Sequence, residues 1–131
     1  MASGYDMVRQ HIYANYKVSA DDDGLLGLAF SLPDGRTQMV FVGRHTLMDG
    51  REEWVEVVSP ICEMGAANCH ALLQDAGNMV VGGLTVFGER ISLKHVMRAT
   101  RIDLEELDRV IRLIVSSADQ LERTHVGGDE Y

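Results

Sequence analysis

Between residues 103 and 123 the chain repeats apolar side chains at spacings of three and four: Leu104, Leu107, Ile111, Ile114, Ala118 and Leu121. That period places them on one stripe of an α-helix. Val110 and Val115 widen the stripe beyond the narrow seam of a coiled coil, which suits packing on a sheet better than a coiled coil. Asp103 is a good N-cap, and Glu106 stands three residues later, as in a capping box. Glu105–Arg109, Asp108–Arg112 and Asp119–Arg123 are acid-then-base pairs at i,i+4 on the polar side, each adding a few tenths of a kcal/mol. A helix this one-sided must cover something. What the rest of the chain offers it decides the fold.

Residues 4–16 read as a first helix. Tyr5, Val8, Ile12 and Tyr16 share one stripe, and Ser3 is available as N-cap. The run Asp21-Asp22-Asp23-Gly24 then breaks the chain. Residues 25–32 alternate, with Leu26, Leu28, Phe30 and Leu32 on one side, which is the period of a strand. Pro33-Asp34-Gly35-Arg36 is a turn in which Pro presets φ and Gly takes the left-handed position. Residues 37–44 form a second strand, Met48-Asp49-Gly50-Arg51 turns again, and residues 52–59 form a third that Pro60 stops. Residues 61–65 connect to a short helix at 66–76, ended by Gly77-Asn78. Residues 79–87 and 90–98 are the last two strands, joined by a tight turn at Gly88-Glu89. Ile91, Leu93, His95 and Met97 share one side of the last strand. The expected order is α-β-β-β-α-β-β-α. That is an α+β domain of two layers, a five-stranded antiparallel sheet under helices, spanning residues 1–126 with a flexible tail at 127–131.

Composition narrows the function classes. The 131 residues suit one domain with one core, and the formal charge is −8 from 12 Lys+Arg against 20 Asp+Glu. A net negative field without a basic cluster repels phosphate, so neither nucleic acid nor an anionic membrane is an expected partner. No apolar run reaches the roughly 20 residues of a membrane span, and the start lacks the pattern of a secretory signal. Two cysteines, Cys62 and Cys69, make no disulfide framework, and the expected location is the cytoplasm.

The residues that carry chemistry elsewhere do not assemble into a site here. Cys62, Cys69 and His70 give C-x6-C-H, which matches no common zinc spacing. Adjacent helix residues point about a hundred degrees apart, so Cys69 and His70 do not face each other as a nucleophile and its base. His95 reads as a core or rim histidine, and His11, His45 and His125 as surface or loop residues. Asp21, Asp22 and Asp23 lack the spacing of a calcium loop. Gly82-Gly83 lies within a strand rather than a phosphate loop, where a bulge or a close approach of another backbone accounts for it. No cofactor, metal or catalytic residue is expected, and the chain is not read as an enzyme. A small enzyme or ligand-binding protein using Cys62, His70 or His95 is the reading from another class.

Apolar residues on both sides of one strand are more telling. Val40 and Val42 oppose Met39 and Phe41, and Trp54 and Val58 oppose Val55 and Val57. One side packs on helices; the other meets a second layer, a dimer mate or a client. Val40, Val42, Trp54 and Val58 are the candidate partner-binding residues. Leu121, at the far end of the last helix, joins them, since its end of the stripe either finishes the core or begins an interface.

Several stretches carry a family likeness: L-P-D-G-R-T-Q-M-V-F-V at 32–42, V-V-S-P-I at 57–61, C-H-A-L-L at 69–73, I-D-L-E-E-L at 102–107 and A-D-Q-L-E at 118–122. With the order of elements, they make the chain resemble the YbjN-like and type III secretion chaperone-like group of small acidic bacterial proteins. The resemblance covers about residues 4 to 124. It implies a homodimer that holds an extended segment of a client protein by strand addition and apolar pockets. It equally admits a non-catalytic regulatory or adaptor domain with one specific partner. It brings no catalytic residues.

Overall fold

The computed structural model describes residues 3–126, and the tail expected at 127–131 lies outside them. The elements are α1 (Gly4–Asn15), β1 (Val18–Asp22), β2 (Leu25–Ser31), β3 (Thr37–Leu47), β4 (Glu52–Glu63), α2 (Cys69–Ala76), β5 (Gly83–Phe87), β6 (Arg90–Arg98) and α3 (Leu104–His125). A 3-10 turn at Pro33–Gly35 separates β2 from β3. The class is α+β, and the described strands form one open antiparallel sheet in the order β1-β2-β3-β4-β6-β5.

The sheet thus has six strands where the sequence predicts five. The extra strand is β1, which includes Asp21 and Asp22 of the expected break: they pair with Leu26 and Leu25, and the turn itself is Asp23-Gly24. An edge strand exposed almost throughout has no alternation to display. Pro60 does not stop its strand either. β4 runs through it to Glu63, and a register shift between Pro60 and Cys62 accommodates a residue that cannot donate to the ladder. α2 starts at Cys69 rather than 66, because Asn68 caps it by accepting from the Ala71 N–H at 3.0 Å.

All three helices contribute to one core on one side of the sheet. From α3, Leu107, Ile111, Ile114, Ala118 and Leu121 are fully buried, and Val110 and Val115 nearly so. They lie with Leu26 and Leu28 of β2, Val40 and Val42 of β3, Val55, Val57 and Ile61 of β4, and Leu93 of β6. Each such Leu, Ile or Val adds about 1.5–3 kcal/mol of burial. Tyr5, Val8 and Ile12 bring α1 into the same cluster, and Leu72 brings α2. Both expected N-caps form, but the reciprocal capping box is on α1, between Ser3 and Asp6, while on α3 the Asp103 carboxylate accepts from the Glu105 and Glu106 N–H groups.

Polar ties hold the helices to one another. The Asp108 carboxylate on α3 accepts from the Tyr16 hydroxyl at 2.6 Å and faces His11 Nε2 of α1 at 2.8 Å. His125 Nε2 of α3 meets Asp75 of α2 at 2.9 Å. Asp119 is nearly buried rather than on the polar side, and takes both Arg36 from β3's approach and Arg123 at i,i+4, each at 2.8 Å.

Gly82 lies just ahead of β5 rather than within a strand, and what approaches it closely is the side chains of Ile114 and Leu93 rather than another backbone. Its φ is +94°, and a Cβ there would stand 2.7 Å from Ile114 Cδ1. Gly82→Ala is expected to cost about 2 kcal/mol from overpacking and a left-handed backbone. Ile114→Val removes the clashing methyl, so the double variant should unfold in urea at less than the summed loss of the singles.

Tyr16 supplies a pH prediction. Burial first, and then its hydrogen bond to Asp108, push its phenol well above the ordinary value. A folded-state pKa above the unfolded one contributes stability that is complete below about pH 10 and is lost as pH rises further. The stability advantage of the wild type over Tyr16→Phe should therefore hold at pH 8 and shrink above pH 10, read from urea midpoints across that range. An advantage constant to pH 11 and beyond would contradict the assignment.

Candidate partner-binding surfaces

The helices cover one side of the sheet; strand register defines what faces the other way. Phe41 sits opposite Gly27 and Val58, Gly43 opposite Glu56, and His45 opposite Trp54. From β4 to β6, Val58 sits opposite Lys94, Glu56 opposite Val96, and Trp54 opposite Arg98. Phe87 of β5 is on this side too, and its ring stacks on Phe41 with centroids 6.4 Å apart. None of Phe41, Trp54, Val58, Phe87 and Val96 belongs to the core cluster.

Charge on this face is balanced by a cross-strand ladder. Glu52 of β4 faces Arg98 of β6 at 4.0 Å, Glu56 faces Lys94 at 3.0 Å, and Glu63 faces Arg90 at 3.2 Å. Exposed pairs of this kind add little stability, but they leave three acids matched by three bases on one face of a chain whose formal charge is −8. Glu56 differs from its neighbours because its side chain is only 8% exposed. Its second oxygen takes His45 Nε2 at 3.0 Å, so the buried carboxylate has a cation or imidazole on each side. His45, Glu56, Lys94 and Phe87 line an open cleft of about 950 Å³ together with Tyr5, Leu25 and the charged side chains of Asp6, Arg9, Asp23, Arg44 and Glu53.

A second, smaller feature lies between α2 and the edge strand. Cys69, Leu72, Leu73, Leu84, Val86 and Ile91 enclose an apolar groove of about 200 Å³. Leu73 is 60% exposed and Val86 56%.

The candidate residues separate into two groups. Trp54 lies half-buried on the uncovered face, with its indole N–H donating to Glu52 at 3.2 Å. Val58 is on that face as well, though fully buried under its neighbours. Val40, Val42 and Leu121 are elsewhere: all three are fully buried in the core against the helices, where no partner reaches them. With Met39 and Phe41 also apolar, β3 gives no sign in sequence of which side is inner. Phe41 and Phe87 take the place of Val40 and Val42, and the alternation that identifies Trp54 and Val58 on β4 would have found Phe41 by register.

The remaining candidates stay apart. Cys62 is buried, Cys69 exposed, and both are free thiols. His70 is exposed on α2 and His95 half-buried in the core row of β6. His11, His45 and His125, expected as plain surface residues, each contact a carboxylate of another element. Asp21 is occupied by Arg9 and the Tyr13 hydroxyl, which hold its carboxyl below the usual range. Among the described residues no group of three or more His, Cys, Asp or Glu is placed to hold a metal ion, and no helix is long and apolar enough to cross a membrane. No known protein-family model matches the chain, and no curated protein matches it either.

Proposed function

We propose that this chain is a protein-binding module of the YbjN-like and type III secretion chaperone-like kind, with β1 as an added edge strand. It acts without chemistry of its own, in the cytoplasm and as a homodimer, and holds an extended segment of a client protein against the uncovered face of the sheet. The observation that carries this reading is the composition of that face. Trp54, Phe41 and Phe87, each half-buried, and the more exposed Val96 stand on it among paired charges, outside the core that the helices share. Aromatic side chains with paired charges around them are what a protein-binding surface offers. The cleft beside them, with its buried Glu56 between His45 and Lys94, supplies both donors and acceptors for the polar groups of an extended backbone.

Trp54 is the only tryptophan in the chain, so it reports on its own surroundings. Titration with tryptophan-free unfolded peptides rich in Leu, Val and Phe should shift its emission to the blue. Trp54→Ala should weaken peptide binding, read by anisotropy of a labelled peptide, by about tenfold or more while leaving the fold intact. Leu113→Ala, on the outer surface of α3, should leave binding unchanged. Equal binding by wild type and Trp54→Ala would sink the proposal. Binding restricted to one peptide sequence would favour an adaptor domain over a client holder.

A further inference from the structure

We infer that the Phe41–Phe87 stack is the closed cover of a side-chain pocket over Val58 and Ser92, and that this pocket takes a tyrosine of the bound segment. The inference rests on the proposed function and adds to it what the face selects.

Burial on this side of the sheet has no helix to account for it. Val58 and Ser92 have no exposure and Pro60 is buried, although strand register places all three on the side away from the helices. Phe41 shares a row with Val58 and Lys94. Phe87 lies two residues beyond Thr85, which stands opposite Ser92. A diagonal from Phe41 on β3 to Phe87 on β5 therefore crosses β4 between Val58 and Pro60 and crosses β6 at Ser92. The two rings meet along that diagonal, with centroids 6.4 Å apart and planes 27° from parallel. Lys94, the charged member of the row, is drawn to Glu56 at 3.0 Å. The rings are what keeps water off Val58 and Ser92.

Ser92 gains nothing from that cover. Its hydroxyl is buried and has no hydrogen-bond partner among the described residues. Pro60, opposite it on β4, has no N–H to offer. Buried hydroxyls are nearly always bonded, because one that is not has lost water without a replacement. The free protein thus holds an unfavourable group beneath its aromatic surface, and an occupant with a hydrogen-bonding tip relieves it. The two phenylalanine rings favour a flat apolar body above that tip. Tyrosine has both, a ring that packs on other rings and a hydroxyl at its far end. The way in is beside Gly83, which ends the row of Phe41, Val58 and Lys94 on β5. Nothing lies within 4 Å of where a Cβ on Gly83 would stand. A ring entering there lies against Phe87, turns it aside and reaches Ser92.

The test uses short, labelled, tryptophan-free peptides of Leu and Val with Tyr, Phe or Ala at the centre, bound to the full chain and read by anisotropy. The tyrosine peptide should bind about tenfold more tightly than the phenylalanine peptide, and the alanine peptide more weakly still. Ser92→Ala should bring the tyrosine peptide down to the phenylalanine one. It should also raise the urea midpoint of the free protein, because it removes an unbonded hydroxyl. A lowered midpoint would show that the hydroxyl holds the fold together and overturn the pocket. Gly83→Val suits an exposed strand position and should leave the urea midpoint unchanged or higher, yet weaken the tyrosine peptide about tenfold by filling the way in. Phe87→Ala lets water reach Ser92, so in that background Ser92→Ala should no longer stabilise. Equal binding of the tyrosine and phenylalanine peptides, or a tyrosine preference that survives Ser92→Ala, would also overturn the pocket. If the same peptides still lose affinity on Trp54→Ala, the client-holding face stands without it. Binding of none of the peptides overturns both.

Discussion

Leu107, Ile111 and Ile114 of α3 lie against the middle of the sheet, and the other helices take their places from that contact. β4 is a central strand, paired with β3 on one side and β6 on the other, and its Val55, Val57 and Ile61 are fully buried among the helix side chains. α1 adds a shorter stripe to the same core and is tied to α3 through His11, Tyr16 and Asp108. α2 is tied through Asp75 and His125. Burial binds the helix layer to the sheet, and directional polar bonds fix the helices relative to one another. Apolar burial supplies most of the stabilisation and little specificity; the hydrogen bonds supply the reverse.

One-sided coverage has a consequence for the other side of the sheet. A strand in the middle of a sheet has two faces, and helices that all pack on one of them leave the second to be made tolerable in water. β4 and β6 do this with matched charges rather than with a uniformly polar surface. Matched charges remove repulsion without removing the aromatic area between them. A face built only for solubility would have gained more from unpaired acids, which this chain places freely in its turns and on α3. The choice of paired charge around Trp54 and Phe41 is what separates this face from an ordinary wet surface.

What the sequence made legible follows from where periodicity survives. The stripe of α3 and the alternation of β2 persist because each element has one wet side, so period and burial coincide. Val110, Val115 and Leu121 left open whether the stripe ended in core or interface; their burial assigns all three to the core. β1 was hidden because it has almost no buried side, and Pro60 misled because a bulge can hold a proline inside a sheet. On β4 the side of Trp54 was readable, but on β3 both sides are apolar, and only the position of the helices distinguishes Val42 from Phe41. The ties of His11 to Asp108 and of His125 to Asp75 join residues 97 and 50 positions apart, and no local pattern encodes them.

The uncovered face and the bare edge meet at Phe87. It belongs to β5 by chain and to the uncovered face by register, where it stacks on Phe41 from the other side of β4 and β6. The aromatic area of the face therefore runs from β3 across to the edge strand β5 instead of ending at β4 and β6.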